Sequence, residues 1–372
     1  MKWKAGRGVE TCYWARRHRS HMAHGHNDPD GMELEPNHHQ LEPRCVASLS
    51  GSRIKGLGEL EPLLAVLSTV FLSSSALGSW IPRFNAKRAT VCNGHAELCG
   101  RSYGNVTYLG AHNSFAASSN PFALARTQEV DVTAQLNGEV RMLQGQAHMK
   151  NGQLHFCHTT CGLFDGGTVE DYLRKVKAWL DGNPNEVLTF IFTNPEGVSI
   201  PDVWKPAFDN SGITPLAYVP PSRPVKRGDW PTLGQLIDSG KRVVVFLDAG
   251  ADGSDGGVVN FILPEFQMIW EDPFSPTDPN FPCRIDRTSG PLSNDDHENL
   301  INHNLNTNII PIGDGVLISD RADAPKTNSI DSILKHANGC APFAAGRAPN
   351  FVLLDYVNVG QGPAAVDRLN GF

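Results

Sequence analysis

The chain has 372 residues, 40% hydrophobic and 8% aromatic, enough for a sizeable core in one large domain or two ordinary ones. Its formal net charge is −7, unevenly spread: residues 1–90 carry 12 Lys/Arg against 8 Asp/Glu, so residues 91–372 carry 20 against 31, a net of −11. An acidic body repels phosphate backbones and anionic lipid surfaces, which argues against nucleic acid as a partner and allows at most transient membrane-surface contact.

Residues 1–60 read as a disordered or wrongly included leader. Six of the 14 histidines fall within the first 39 residues, and aliphatic runs are few. Residues 61–80 contain "PLLAVLSTVFLSSSALGSW", which is short for a bilayer span but matches a signal-peptide apolar region. Arg53 and Lys55 precede it, and Ala76 and Gly78 form a small-residue cleavage site. The segment lies far from Met1, so the expected translation start is downstream and the expected location is extracellular. Lys87-Arg88 offers a second processing point, and Asn105-Val-Thr107 is an N-glycosylation sequon.

Eight cysteines occur, six of them in the body. Proximity pairs Cys92 with Cys99 and Cys157 with Cys161, leaving Cys283 for Cys340, one of fifteen possible connectivities. Disulfides are favoured over zinc, because the C-x3-C at 157–161 has no second cysteine pair at ligand spacing, and they imply an oxidising compartment.

From residue 91 the pattern alternates between strands and helices. Thr107–His112, 140–148 and 154–158 read as the first three strands. Thr168 then caps a helix ending at Gly182 and Pro184, its apolar stripe Val169, Tyr172, Leu173, Val176, Trp179 and Leu180. Apolar runs at 187–192, 242–248, 266–271, 315–320 and 351–357 complete eight candidate strands. Eight strands in some 290 residues, with no Gly-rich dinucleotide loop, predict one α/β domain over 91–372, a (β/α)8 barrel. "PPSRPVKRGDWP" and "DPFSPTDPNFPC" read as surface loops.

In such a barrel the C-terminal strand ends carry function. His112, Gln144, Gln146, His158, Thr193, Asn194, Asp248, Glu271 and Asp355 fall there. His112 and His158 are the informative pair, since two imidazoles can serve as base and acid near neutral pH.

"GAHNSF", "VRMLQGQAH" and "HFCH" resemble the X region of phosphatidylinositol-specific phospholipases C. With "WLDGNPNEVLTFIFTN" and "PNFVLLDYVNVG" the chain more closely resembles the secreted fungal phospholipase C-like phosphodiesterases, from about Cys92 to Phe372. The resemblance implies an irregular (β/α)8 TIM barrel and cleavage of a phosphodiester. It places His112 as the base that deprotonates a substrate hydroxyl, His158 as the acid on the leaving oxygen, and Asp355 as the residue orienting His112. Asn113, Gln144, Gln146 and Asp248 are the expected substrate contacts.

The calcium-dependent branch has acidic metal ligands after the second strand, and the metal-free branch has a phosphate-binding arginine there. This chain has Gln144 and Gln146, with Arg141 earlier in a structural position. Amides without carboxylates make poor Ca2+ ligands, so no metal and no cofactor are expected. The expected function is a metal-independent, monomeric phospholipase C-type diesterase for an inositol phospholipid or related small-molecule phosphodiester. The alternative is a catalytically inactive secreted barrel that binds a phosphorylated or sugar ligand. N-terminal sequencing of secreted material should find a chain beginning near residue 79; one retaining residues 1–60 would contradict the leader assignment.

Overall fold

The computed structural model describes residues 88–254, 256–310 and 316–372. Cys12, Cys45 and the apolar segment 61–80 lie outside them. The core is a curled parallel sheet of eight strands: β1 (Tyr108–Ala111), β2 (Met142–Lys150), β3 (Leu188–Thr193), β4 (Val243–Leu247), β5 (Ile262–Pro264), β6 (Ile269–Glu271), β7 (Glu298–Asn302) and β8 (Phe351–Leu354). Ladders run β5-β4-β3-β2-β1-β8-β7-β6, so the strands follow chain order around the curl. No ladder joins β5 to β6 among the described residues; a 3-10 turn, Glu265–Gln267, stands between them.

Helices cover the curl unevenly. α1 (Val132–Asn137) and α2 (Val169–Gly182) follow β1 and β2, and α3 (Lys205–Ser211) and α4 (Leu233–Asp238) follow β3. Among the described residues the β4–β7 connections hold only turns and short 3-10 helices, whereas α5 (Ile330–Cys340) precedes β8 and α6 (Gly362–Asn370) follows it. This is the irregular (β/α)8 architecture. The Thr168 hydroxyl caps α2 by accepting from the Asp171 N–H, 3.1 Å, and the six residues of the expected stripe are the buried face. The three expected disulfides, Cys92–Cys99, Cys157–Cys161 and Cys283–Cys340, are all formed.

Two expected barrel strands belong elsewhere. The segment at 154–158 forms Gln153–Cys157, antiparallel to the far half of β2, with His148 opposite His155. Asn151 and Gly152, both at positive φ, make the tight turn between them. The run at 315–320 forms Leu317–Ser319, paired antiparallel with Asn306–Asn308. The strands that replace them, β5 and β7, carry no long apolar run: β5 is three residues ending in proline, and β7 is bounded by Glu298 and Asn302, both buried.

Gly145, on β2 between Gln144 and Gln146, lets this hairpin approach. A Cβ there would lie 2.9 Å from the Phe156 ring. That ring is held by Phe115, Tyr172 and Phe192 at centroid distances of 5.1, 5.0 and 4.8 Å, so it has nowhere to retreat. Gly145→Ala should therefore cost about 1–3 kcal/mol in urea unfolding, the range for overpacking a dense core.

Candidate active site

β1 and β8 are parallel neighbours with Ala111 opposite Leu354. One residue further on, His112 and Asp355 stand side by side, Nδ1 to Oδ1 at 2.7 Å. An ionised carboxylate can only accept, so Nδ1 carries the proton and the Nε2 lone pair is left for the cavity. Asn113, in the left-handed region at φ 38°, brings its amide nitrogen to 3.2 Å from that Nε2. Its Oδ1 accepts from the Gln146 N–H at 3.2 Å, which fixes the amide orientation.

His158 follows the hairpin strand, not a barrel strand. Its Nδ1 donates to the Ala125 carbonyl at 2.6 Å, which leaves its Nε2 free as well. The two rings face each other edge to face with centroids 6.0 Å apart. Burial first, and the neighbouring His112 second, hold the His158 pKa below the ordinary imidazole value.

The two glutamines have parallel tasks. Gln144 Oε1 accepts the N–H of Asn113 at 2.7 Å, and Gln146 Oε1 accepts the N–H of Thr159 at 2.7 Å. Each catches the backbone immediately after one histidine. Because a backbone N–H must meet an oxygen, each side chain is left with its NH2 group as the free donor. Both glutamines line the same 380 Å³ cavity as His112, Asn113, His158 and Asp248, while Asp355 is buried behind His112. Arg141 points away to Glu186 at 2.8 Å and lies over the Trp179 ring, a structural position as expected.

Residues 98–370 match the family model described as PI-PLC X 1. The chain belongs to the PI-PLC X family. A PI-PLC X domain-containing protein 1 of Arthroderma benhamiae is 40% identical over 290 residues, 76% of this chain and 90% of that one. An uncharacterized secreted protein of the same fungus is 42% identical over 276 residues, 73% of this chain; the match spans only 61% of that protein's length. A phosphatidylinositol-specific phospholipase C variant from Staphylococcus aureus superposes with TM-score 0.49 at 14% identity, covering 72% of this chain and 93% of that one.

Opposite the histidines, this PI-PLC X cavity holds an acid cluster around one cation. Asp248 accepts from the Asn194 N–H at 2.7 Å, and burial raises its pKa. Thr193 lines the wall, and Trp270 is fully buried in the core. Glu271 pairs with Arg287. Glu265 is 2% exposed, and burial together with Glu271 pushes its carboxyl well above the ordinary range. Burial opposes the Arg287 charge, but Glu271 and Glu265 outweigh it and raise its pKa.

Sequence reasoning missed Arg287, Glu265, Asn302 and Asn304. Arg287 is the one Lys or Arg lining the cavity among the described residues. Its loop is pinned to the end of β6 by the Glu271 N–H, which donates to the Arg287 carbonyl at 2.9 Å, a link of sixteen residues with no sequence pattern. The alternation Glu298, Leu300, Asn302 in "ENLINHN" was the one usable hint. His112→Ala removes one of the two causes depressing His158, so the His158 imidazole pKa, followed by NMR, should rise toward the ordinary value; an unchanged value would mean burial alone sets it.

Proposed function

We propose that this chain is a secreted phospholipase C-type diesterase that cleaves an inositol phospholipid or a related phosphodiester by two-histidine acid/base catalysis without Ca2+. The observation that carries the reading is the pair of imidazoles facing each other across one cavity, each with Nδ1 committed to the protein and Nε2 turned to the cavity, that of His112 capped by the Asn113 amide.

His112 Nε2 takes the proton of a substrate hydroxyl beside the phosphodiester, displacing the Asn113 amide, and the hydroxyl oxygen attacks phosphorus. His158, protonated when the anionic phosphate is bound, gives its Nε2 proton to the departing oxygen. A cyclic phosphodiester results. Water then opens it with the roles exchanged. Asp355 holds the His112 tautomer and balances the imidazolium that forms.

The free NH2 groups of Gln144 and Gln146 donate to the phosphate oxygens, and Arg287 supplies the positive charge. Each glutamine oxygen already accepts a backbone N–H, and neutral amides are weaker Ca2+ ligands than the carboxylates they replace, which supports metal independence. Asp248, Glu271 and Glu265 present carboxyl oxygens to the hydroxyls of a polyol head group. A secreted location rests on the three disulfides and on the apolar segment at 61–80. No helix among the described residues is long and apolar enough to cross a membrane.

The pairing of Arg287 with Glu271 favours a second reading, a barrel that binds a phosphorylated or sugar ligand without turnover. Cleavage of phosphatidylinositol and of a soluble inositol phosphodiester, with chelator present, separates the two. Turnover should persist with chelator and fall ~10²–10⁴-fold in His112→Ala and in His158→Ala. Arg287→Gln should lower kcat/KM by about 10²–10³-fold. No turnover from a folded protein would establish the binding reading.

A further inference from the structure

At the N-terminal end of the barrel three arginines converge with no carboxylate to answer them. Arg101, Arg227 and Arg347 line a 210 Å³ cleft formed by the segments that lead into β1 and β8 and by the loop before α4. The Arg101 guanidinium lies over the Phe372 ring, 5.3 Å from its centroid. Arg227 uses one donor, Nε, to Asn350 Oδ1 at 3.2 Å. Arg347 uses Nη2, to the Asp295 carbonyl at 2.6 Å, and its Nε is buried with no partner. Among the described residues none of the three forms an ion pair, although acids outnumber bases from residue 91 onward.

The arrangement is electrostatically unfavourable as it stands. Burial and the Arg347 charge together pull the Arg227 pKa down to about 10, so it stays cationic while repelling its neighbour. The carboxyl that bears on Arg227 is Glu298, buried beneath it in the barrel, and burial lifts that group to about 8. At neutral pH Glu298 is therefore mostly protonated and supplies little countercharge. Packing alone gives no reason to place guanidinium groups together. An oxyanion does, because forked donors match its oxygens and its charge removes the repulsion.

We propose that this cleft binds a small phosphate species, inorganic phosphate or the monoester of a small polyol, at a site separate from the catalytic cavity. β1 and β8 each span four residues, about 13 Å, between the cleft at one end and His112 with Asp355 at the other. The inference stands whether or not the barrel turns over a substrate.

The test is calorimetric titration of the full chain with inorganic phosphate and with glycerol 3-phosphate, at constant ionic strength in chloride. One saturable site is expected, weakened at least ~10-fold in Arg227→Gln/Arg347→Gln and unaffected by Arg287→Gln in the catalytic cavity. A second readout is thermal: without phosphate, Arg347→Gln should melt no lower than the wild type, since a repulsion is relieved, and it should lose the phosphate-dependent rise. If the double variant does not fold, Arg101→Gln carries the same comparison. The proposal is overturned by the absence of saturable binding, by binding that survives the double variant, or by binding lost through Arg287→Gln. Capture by phosphatidate vesicles with neither soluble ligand bound would likewise overturn it and assign the cleft to a membrane surface.

Discussion

The candidate site depends on one constraint, that each imidazole has its Nδ1 tied to a fixed acceptor. For His112 the acceptor is Asp355, delivered by the register of β1 against β8. For His158 it is the Ala125 carbonyl, delivered by the loop after β1. A free imidazole exchanges tautomers and rotates; a tied one presents a single nitrogen in a single direction. The surrounding features serve this end. Gln144 and Gln146 hold the backbone beyond each histidine, and the Cys157–Cys161 bridge closes the turn that bears His158.

That constraint explains why two loops and two strand ends must be placed together. β2 carries both glutamines, two residues apart on either side of Gly145, so its pleat sets the spacing of the two histidine loops. The hairpin continuing from β2 packs Phe156 over Gly145. The His158 loop is thereby registered to the strand that also supports the His112 loop. Position in the site follows from aromatic packing two residues away from the chemistry.

Features set by local pattern were legible in the sequence: α2 with its cap and stripe, the six apolar barrel strands, the short disulfide loops, and His112 and His158 at element ends. The eight-strand count came out right through exchanged strands. The hairpin at 154–158 and Leu317–Ser319 stood in for β5 and β7. Period-two apolar runs do not reveal whether a strand joins a barrel or folds back on itself, and here the Asn151-Gly152 turn held the answer. The Pro-rich stretches expected as surface loops carry buried Trp230, Asp272 and Phe281. Arg287 was out of reach, because its place comes from a backbone link to β6 that no spacing rule anticipates.

The charges around the cavity bear on how an anionic substrate is received. One guanidinium, Arg287, stands among Asp248, Glu271 and a Glu265 whose pKa burial raises. Burial disfavours the charged form of Glu265 beside Glu271, which lessens the repulsion this wall exerts on an anion. On the proposed reading the phosphate is held mainly by neutral amide donors, with one shared cation, and substrate choice falls to hydroxyl contacts along the acid wall. Such a site gains less from long-range attraction than one built on free lysines or arginines, so capture should depend weakly on salt. On the same proposed reading, the net charge of −11 on residues 91–372 accords with recognition by short-range hydrogen bonding, without electrostatic steering.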